Sequence, residues 1–223
     1  MPLAASPAKL MIERPDHPIA SLLSARAVAT LQDAATALWH GDPGFQLPSE
    51  MSESLQTILD LHRANYELWH IEDQARDPHA SDRQIVDTKR AVDRVNQRRN
   101  DLAEQCDLLL LAALHKEGLP VENAELHSES PGLMLDRLSI LALKMYHTRE
   151  EIARANAPDG HAQRNRERLA LLETQRDDLA GCLDALWSKV LAGERRFKIY
   201  RQLKMYNDPS LNPAMYAGDS SSS

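Results

Sequence analysis

The chain has 223 residues, scarce aromatics and a formal net charge of −7. Its length allows one generous domain with a real core, and the dominance of Ala, Leu, Glu, Gln and Arg is the composition of long helices. The acidic balance argues against nucleic acid or an anionic membrane as a partner of the whole molecule.

The longest apolar run, Leu108 to Leu114, falls well short of the roughly 20 residues that a membrane-spanning helix needs. The N-terminus carries no long apolar secretory stretch. The expected setting is therefore the cytoplasm, without a membrane. Cys106 and Cys182, the two cysteines, stand outside any metal-ligand spacing and read as buried, reduced thiols.

Proline-containing stretches from Gly41 to Ser52 and from Gly118 to Pro131 divide the chain into three blocks. Residues 1–17 are expected to be a flexible N-terminus, residues 18–216 one helical domain, and 217–223, ending in serines, a disordered tail. The first block reads as one helix from near Pro18 to just before Gly41, with Ile19, Leu22, Leu23, Leu31, Leu38 and Trp39 at helical spacing.

The second block, about residues 52–117, reads as a hairpin. One helix runs from Ser52 to Arg76 and stops at Asp77-Pro78. Ser81 and Gln84 have capping-box spacing for the next, which runs to about Lys116 and is closed by Gly118 and Pro120. Its apolar stripe is Ile85, Val92, Val95, Leu102, Cys106, Leu109 and Ala113, interrupted by Thr88 and Arg99.

The third block, about 130–206, repeats this plan. Ser130-Pro131 caps a helix that ends at Asn156-Ala157-Pro158, and another begins after Gly160 and reaches at least Leu191. The run Glu72-Asp73-Gln74-Ala75-Arg76 matches Glu150-Glu151-Ile152-Ala153-Arg154, and Arg99-Asn100-Asp101-Leu102-Ala103 matches Arg176-Asp177-Asp178-Leu179-Ala180. The expected fold is all-α: a bundle of two repeated antiparallel helical hairpins plus an N-terminal helix.

Several polar residues fall among the apolar stripes. His62, Asn65, Glu72 and Asp73 lie along the first helix of hairpin one, opposite Lys89, Asp93, Asn96, Asn100 and Asp107 on the second. An antiparallel pairing sets Glu72 level with Lys89, Trp69 with Val92 and Asn65 with Asn96. Buried polar groups must be paired, which either fixes helix register or builds a site inside the bundle. His62, Asn65 and Asp93 have apolar counterparts in hairpin two, so they, with Asn96 and with Asp73 as an extra carboxylate, are the stronger functional candidates.

In a site, His62 would be base or ligand, Asp73 and Asp93 carboxylates, and Asn65, Asn96 and Asn100 orienting groups. Glu72 and Lys89, an acid facing a base, recur in hairpin two as Glu150 and Arg166. Arg76 would meet a phosphate. The cofactor candidate is a divalent metal, with oxygen ligands suiting Mg²⁺ or Mn²⁺ and a His-carboxylate set suiting Fe or Mn.

The segment from Arg195 to Tyr206 is basic with interleaved aromatics. It reads first as a helix end docked through Phe197, Tyr200 and Leu203, its cations solvated, and otherwise as a segment that binds phosphate groups of a small ligand or of RNA. No Gly-rich phosphate loop, nucleophile elbow or zinc pattern is present.

The run His62-x-x-Asn65-x-x-Leu68-Trp69-x-x-Glu72-Asp73-x-Ala75-Arg76, followed by Lys89, Asp93-x-x-Asn96-Gln97-x-Arg99-Asn100-Asp101, resembles an uncharacterised bacterial family, domain of unknown function four-two-five-four. Pro131-Gly132, Asp136-Arg137-Leu138-Ser139-Ile140-Leu141 and the segment from Lys204 to Pro213 fit the same pattern, so the resemblance covers about Leu55 to Tyr216. It implies a bacterial, mostly helical, cytoplasmic protein without an assigned reaction. The functional expectation is a polar interhelical site for a small phosphorylated ligand, a sugar phosphate or nucleotide, assisted by metal. The alternative is a non-enzymatic helical interaction module, homodimeric in one form.

Overall fold

The computed structural model describes residues 19–42, 44, 47–201 and 210–213. The expected flexible N-terminus, the serine tail and Leu203 lie outside them. Among the described residues the fold is a helical bundle of α1 (Ala25–Trp39), α2 (Glu53–Ala75), α3 (Asp82–Lys116), α4 (Pro131–Ala153) and α5 (His161–Leu191). A 3-10 turn (Ala20–Leu22) precedes α1. Two-residue strands β1 (Glu125–Leu126) and β2 (Arg195–Arg196) pair in parallel.

Local chemistry sets most helix ends. The hydroxyls of Ser52, Ser81 and Ser130 each accept an N–H of the following turn, and Ser81 and Gln84 form the expected reciprocal capping box. Gly118 after α3 and Gly193 after α5 have φ of +71° and +73°, left-handed values that glycine adopts without steric cost.

Three boundaries differ from expectation. The first helix starts at Ala25, because Leu23 is extended, the Ser24 hydroxyl caps Ala27 and the Asp184 carboxylate of α5 accepts the Ala25 N–H at 2.8 Å. Pro18 lies outside the described residues. Helix α4 ends at Ala153 rather than Asn156, since Arg154 is already extended. Beyond α5 the chain is a short strand and not a helix end.

Helix α4 packs against each of α1, α2, α3 and α5. The core gathers Leu61, Leu114, Leu135, Leu138, Leu183 and Val190, all fully buried. Phe197, just after β2, enters this core at 2% exposure, a burial worth roughly 1.5–3 kcal/mol. Of the basic segment, Arg195 pairs with Glu125, Arg196 donates to the Ala124 carbonyl, and Tyr200 stays half exposed.

The buried residues of α2 end at Asn65 and those of α3 begin at Ala103. The far half of this hairpin therefore contributes little to the core, and Ile85 of the expected apolar stripe is exposed, as is its neighbour Val86. Cys106 is buried, its thiol pushed up to about 12 by burial. Cys182 corrects the expectation of two buried thiols, for it is exposed on α5.

Candidate metal centre

Three histidines from three helices converge at one end of the bundle. His40 caps the C-terminus of α1, His70 sits in the last third of α2 and His147 lies in α4. One ring nitrogen of each lies within 4.8 Å of those of the other two. The Nε2 atom of all three is buried without a hydrogen-bond partner.

The hydrogen bonds at Nδ1 explain which nitrogen is free. His40 Nδ1 lies 2.8 Å from the Thr36 carbonyl oxygen, which can only accept, so Nδ1 carries the proton and Nε2 a lone pair. His147 Nδ1 lies 2.7 Å from a carboxylate oxygen of Glu150, which gives the same tautomer. A carboxylate or carbonyl behind the imidazole is the usual outer partner of a metal-ligating histidine. Burial pushes the pKa of His70 down, any protonation of His40 or His147 would add to that, and the charges of Asp73 and Glu150 oppose it. Metal coordination needs neutral imidazole.

Aromatic rings hold these imidazoles in place. Trp69 stacks on His147 with centroids 4.7 Å apart and planes 9° apart. Tyr146 stacks on His40 at 4.3 Å. Tyr66 meets the edge of His70 at 4.4 Å, and its hydroxyl donates to the Trp39 carbonyl. An imidazole–zinc bond of about 2.0 Å puts tetrahedral ligand nitrogens about 3.3 Å apart, so small side-chain rotations would bring the three nitrogens onto one ion.

His62 belongs to a different arrangement. The Thr36 hydroxyl donates to the Gln32 carbonyl at 2.8 Å, so its oxygen accepts from His62 Nε2 at 2.8 Å. His62 Nδ1 then accepts from the Ser139 hydroxyl at 2.7 Å, and the Ser139 oxygen accepts from Asn65 Nδ2 at 3.0 Å. Asn65 also donates to Asp136 at 2.8 Å. Burial pushes the His62 pKa down to about 4, and both ring nitrogens are engaged. The network runs behind the metal centre, since Thr36 supplies the carbonyl that orients His40.

The structure thus separates the residues singled out from sequence. His62 and Asn65 come together, with Ser139 and Asp136 as partners. Glu72 pairs with Arg76 at 2.8 Å, and Lys89 with Asp93, each along its own helix, so the expected Glu72–Lys89 pairing across the hairpin gives way to spacing of four residues on one helix. The exposed charge of Asp73 acts on His70. Asn96 is half buried on α3, and Asn100 has a buried amide nitrogen without a hydrogen-bond partner.

His40, His70 and His147 escape a reading based on local spacing, because they are far apart in sequence. One signal was available. Each follows an aromatic residue, in Trp39-His40, Trp69-His70 and Tyr146-His147, and the last two pairs are 147 − 70 = 77 residues apart, the spacing of the second sequence match.

The family model of proteins of unknown function DUF4254 matches residues 55–199, well over half of the chain. The chain belongs to this family. No curated protein and no solved structure matches it. His70 and His147 lie inside the stretch matched by DUF4254, and His40 precedes it. No described helix is long and apolar enough to cross a membrane.

Proposed function

We propose that this DUF4254 protein is a transition-metal protein whose centre is His40, His70 and His147. The observation that carries this reading is the convergence of three histidines whose buried Nε2 atoms have no hydrogen-bond partner. Leaving such acceptors bare costs free energy, and a single divalent ion satisfies all three at once. Imidazole-only ligation suits Zn²⁺, with Co²⁺, Ni²⁺ and Cu²⁺ as competitors.

Three neutral imidazoles leave the ion's double charge uncancelled, and a fourth position open for water, hydroxide or an anionic oxygen. That position suits a phosphate oxygen, which keeps a small phosphorylated ligand, a sugar phosphate or nucleotide, as the proposed substrate class. A bacterial, cytoplasmic setting belongs to the same proposal, and the free cysteines fit its cytoplasmic part. So does descent of the two hairpins from one repeated unit, supported by the aromatic-His pairs 77 residues apart.

Calorimetric titration of the metal-free protein with Zn²⁺ tests the centre. One ion per chain is expected. His70→Ala and His147→Ala should each weaken binding more than about 100-fold, since loss of an outer partner alone costs up to that much. Zn²⁺ affinity unchanged from the wild type in either variant would end the proposal.

A second reading, a homodimeric interaction module, draws on the exposed Ile85 and Val86 of α3. It predicts twice the chain mass in solution by light scattering. A monomer throughout the micromolar range removes it.

A further inference from the structure

Away from the metal centre, α3, the start of α4 and the segment after β2 enclose a cavity of about 100 Å³, room for roughly three waters. Arg99, Asn100, Glu104, Asp107 and Asp136 line it, with half-exposed Tyr200 at its rim. The pairing of β1 with β2 fixes the chain just ahead of Tyr200.

Two donors on the α3 wall have no hydrogen bond. Asn100 Nδ2 is buried and unpaired, and so is Arg99 Nε, whose contact with Asp136 at 3.4 Å is an ion pair without hydrogen-bond geometry. Around them the charge is lopsided, with one guanidinium against three carboxylates. A bare anion would satisfy the two donors but would meet the carboxylates of Glu104, Asp107 and Asp136. A bare cation would be drawn to the carboxylates, of which Asp107 already accepts from the Gly132 N–H and Asp136 from Asn65, and would leave the donors unmet. A molecule carrying both groups answers the whole lining.

We infer that this cavity binds a small zwitterion of amino-acid type, its carboxylate oxygen accepting from Arg99 and Asn100 and its ammonium group facing Asp136 and Asp107. The volume limits the ligand to the size of glycine, alanine or β-alanine. Burial pushes the pKa of Asp107 up to about 6 and that of Asp136 in the same direction, although Ser130 and Gly132 hydrogen-bond to the first and Arg99 and Asn65 hold the second. The metal-ligand candidates His40, His70 and His147 are not among the lining residues, and the one link between the two places is the Asn65 amide, which donates to Asp136.

Thermal unfolding of the full chain in EDTA, without added metal, tests it with glycine, alanine and β-alanine at 10 mM beside acetate, ethylamine and inorganic phosphate. A zwitterion should raise the Tm by about 3 °C or more, with acetate and ethylamine far behind. The rise should vanish in Asn100→Ala, which removes the donors without filling the cavity. Should that variant fold poorly, the exposed Tyr200→Ala serves instead and should weaken the midpoint concentration severalfold. No shift with any probe, or a larger one with acetate or phosphate, overturns the inference and leaves a water-filled or anion-selective cavity.

Discussion

Gly132→Ala is expected to lower stability by about 3 kcal/mol and the Tm by roughly 6–12 °C. Gly132 lies in the first turn of α4, where that helix meets α3. A Cβ there would sit 2.2 Å from the Ala103 carbonyl oxygen and 2.9 Å from the Asp107 carboxylate. The carbonyl is backbone in the middle of a helix, so it cannot swing aside as a side-chain tip would. The Gly132 N–H also donates to Asp107 at 2.7 Å, and a displaced α4 would lose that bond. The strain would spread, since α4 packs against all four other helices. Thermal and denaturant unfolding of the variant measure it, and an unchanged Tm would mean that the α3–α4 contact is looser than described.

A second large effect concerns acid. His62 titrates at about 4 in the fold against an ordinary 6.5, because burial disfavours its charged form. A depressed folded value means a contribution fully present above pH 6.5 and lost as pH falls toward 4, worth about 3 kcal/mol over that span. Asp107 acts in the opposite direction. Its value rises from 3.8 to about 6, so its contribution is full below 3.8 and is lost as pH rises through 6. Between pH 4 and 6 the two groups offset each other, and the wild-type stability curve should be shallow there. Asp107→Asn removes one side, so its stability should fall steeply on acidification from 6.5 to 4. The double variant with His62→Gln should be flat again. Chemical denaturation at half-unit pH steps gives all three curves, and a flat Asp107→Asn curve would contradict the buried, neutral His62.

Helix ends were legible in sequence where capping chemistry is local. Ser52, Ser81 with Gln84, Ser130-Pro131, Gly118 and Gly160 all stand where the structure starts or stops a helix. The start of α1 was not legible, because one of its caps, Asp184, comes from the far end of the chain. Nor was the exposure of Ile85 and Val86, since an amphipathic stripe does not reveal how far its partner extends.

The site was less legible for a related reason. His62 and Asn65 stood out as polar residues in an apolar stripe, and they are indeed buried. What makes them a closed network is Ser139 and Asp136 on a distant helix. The three converging histidines share no helix and no short spacing, and only the recurring aromatic before each of them marked the group. Asp93 and Lys89 looked like an inward row, yet an ion pair along one exposed helix face satisfies them first.

The measurement that bears most directly on the central claim is X-ray absorption spectroscopy at the zinc edge of the protein loaded with one Zn²⁺ per chain. The metal centre predicts three imidazole nitrogens at about 2.0 Å with one oxygen ligand, and loss of one imidazole in His147→Ala. A sulfur shell at about 2.3 Å, pointing to Cys182, or an unchanged spectrum in His147→Ala, would contradict it.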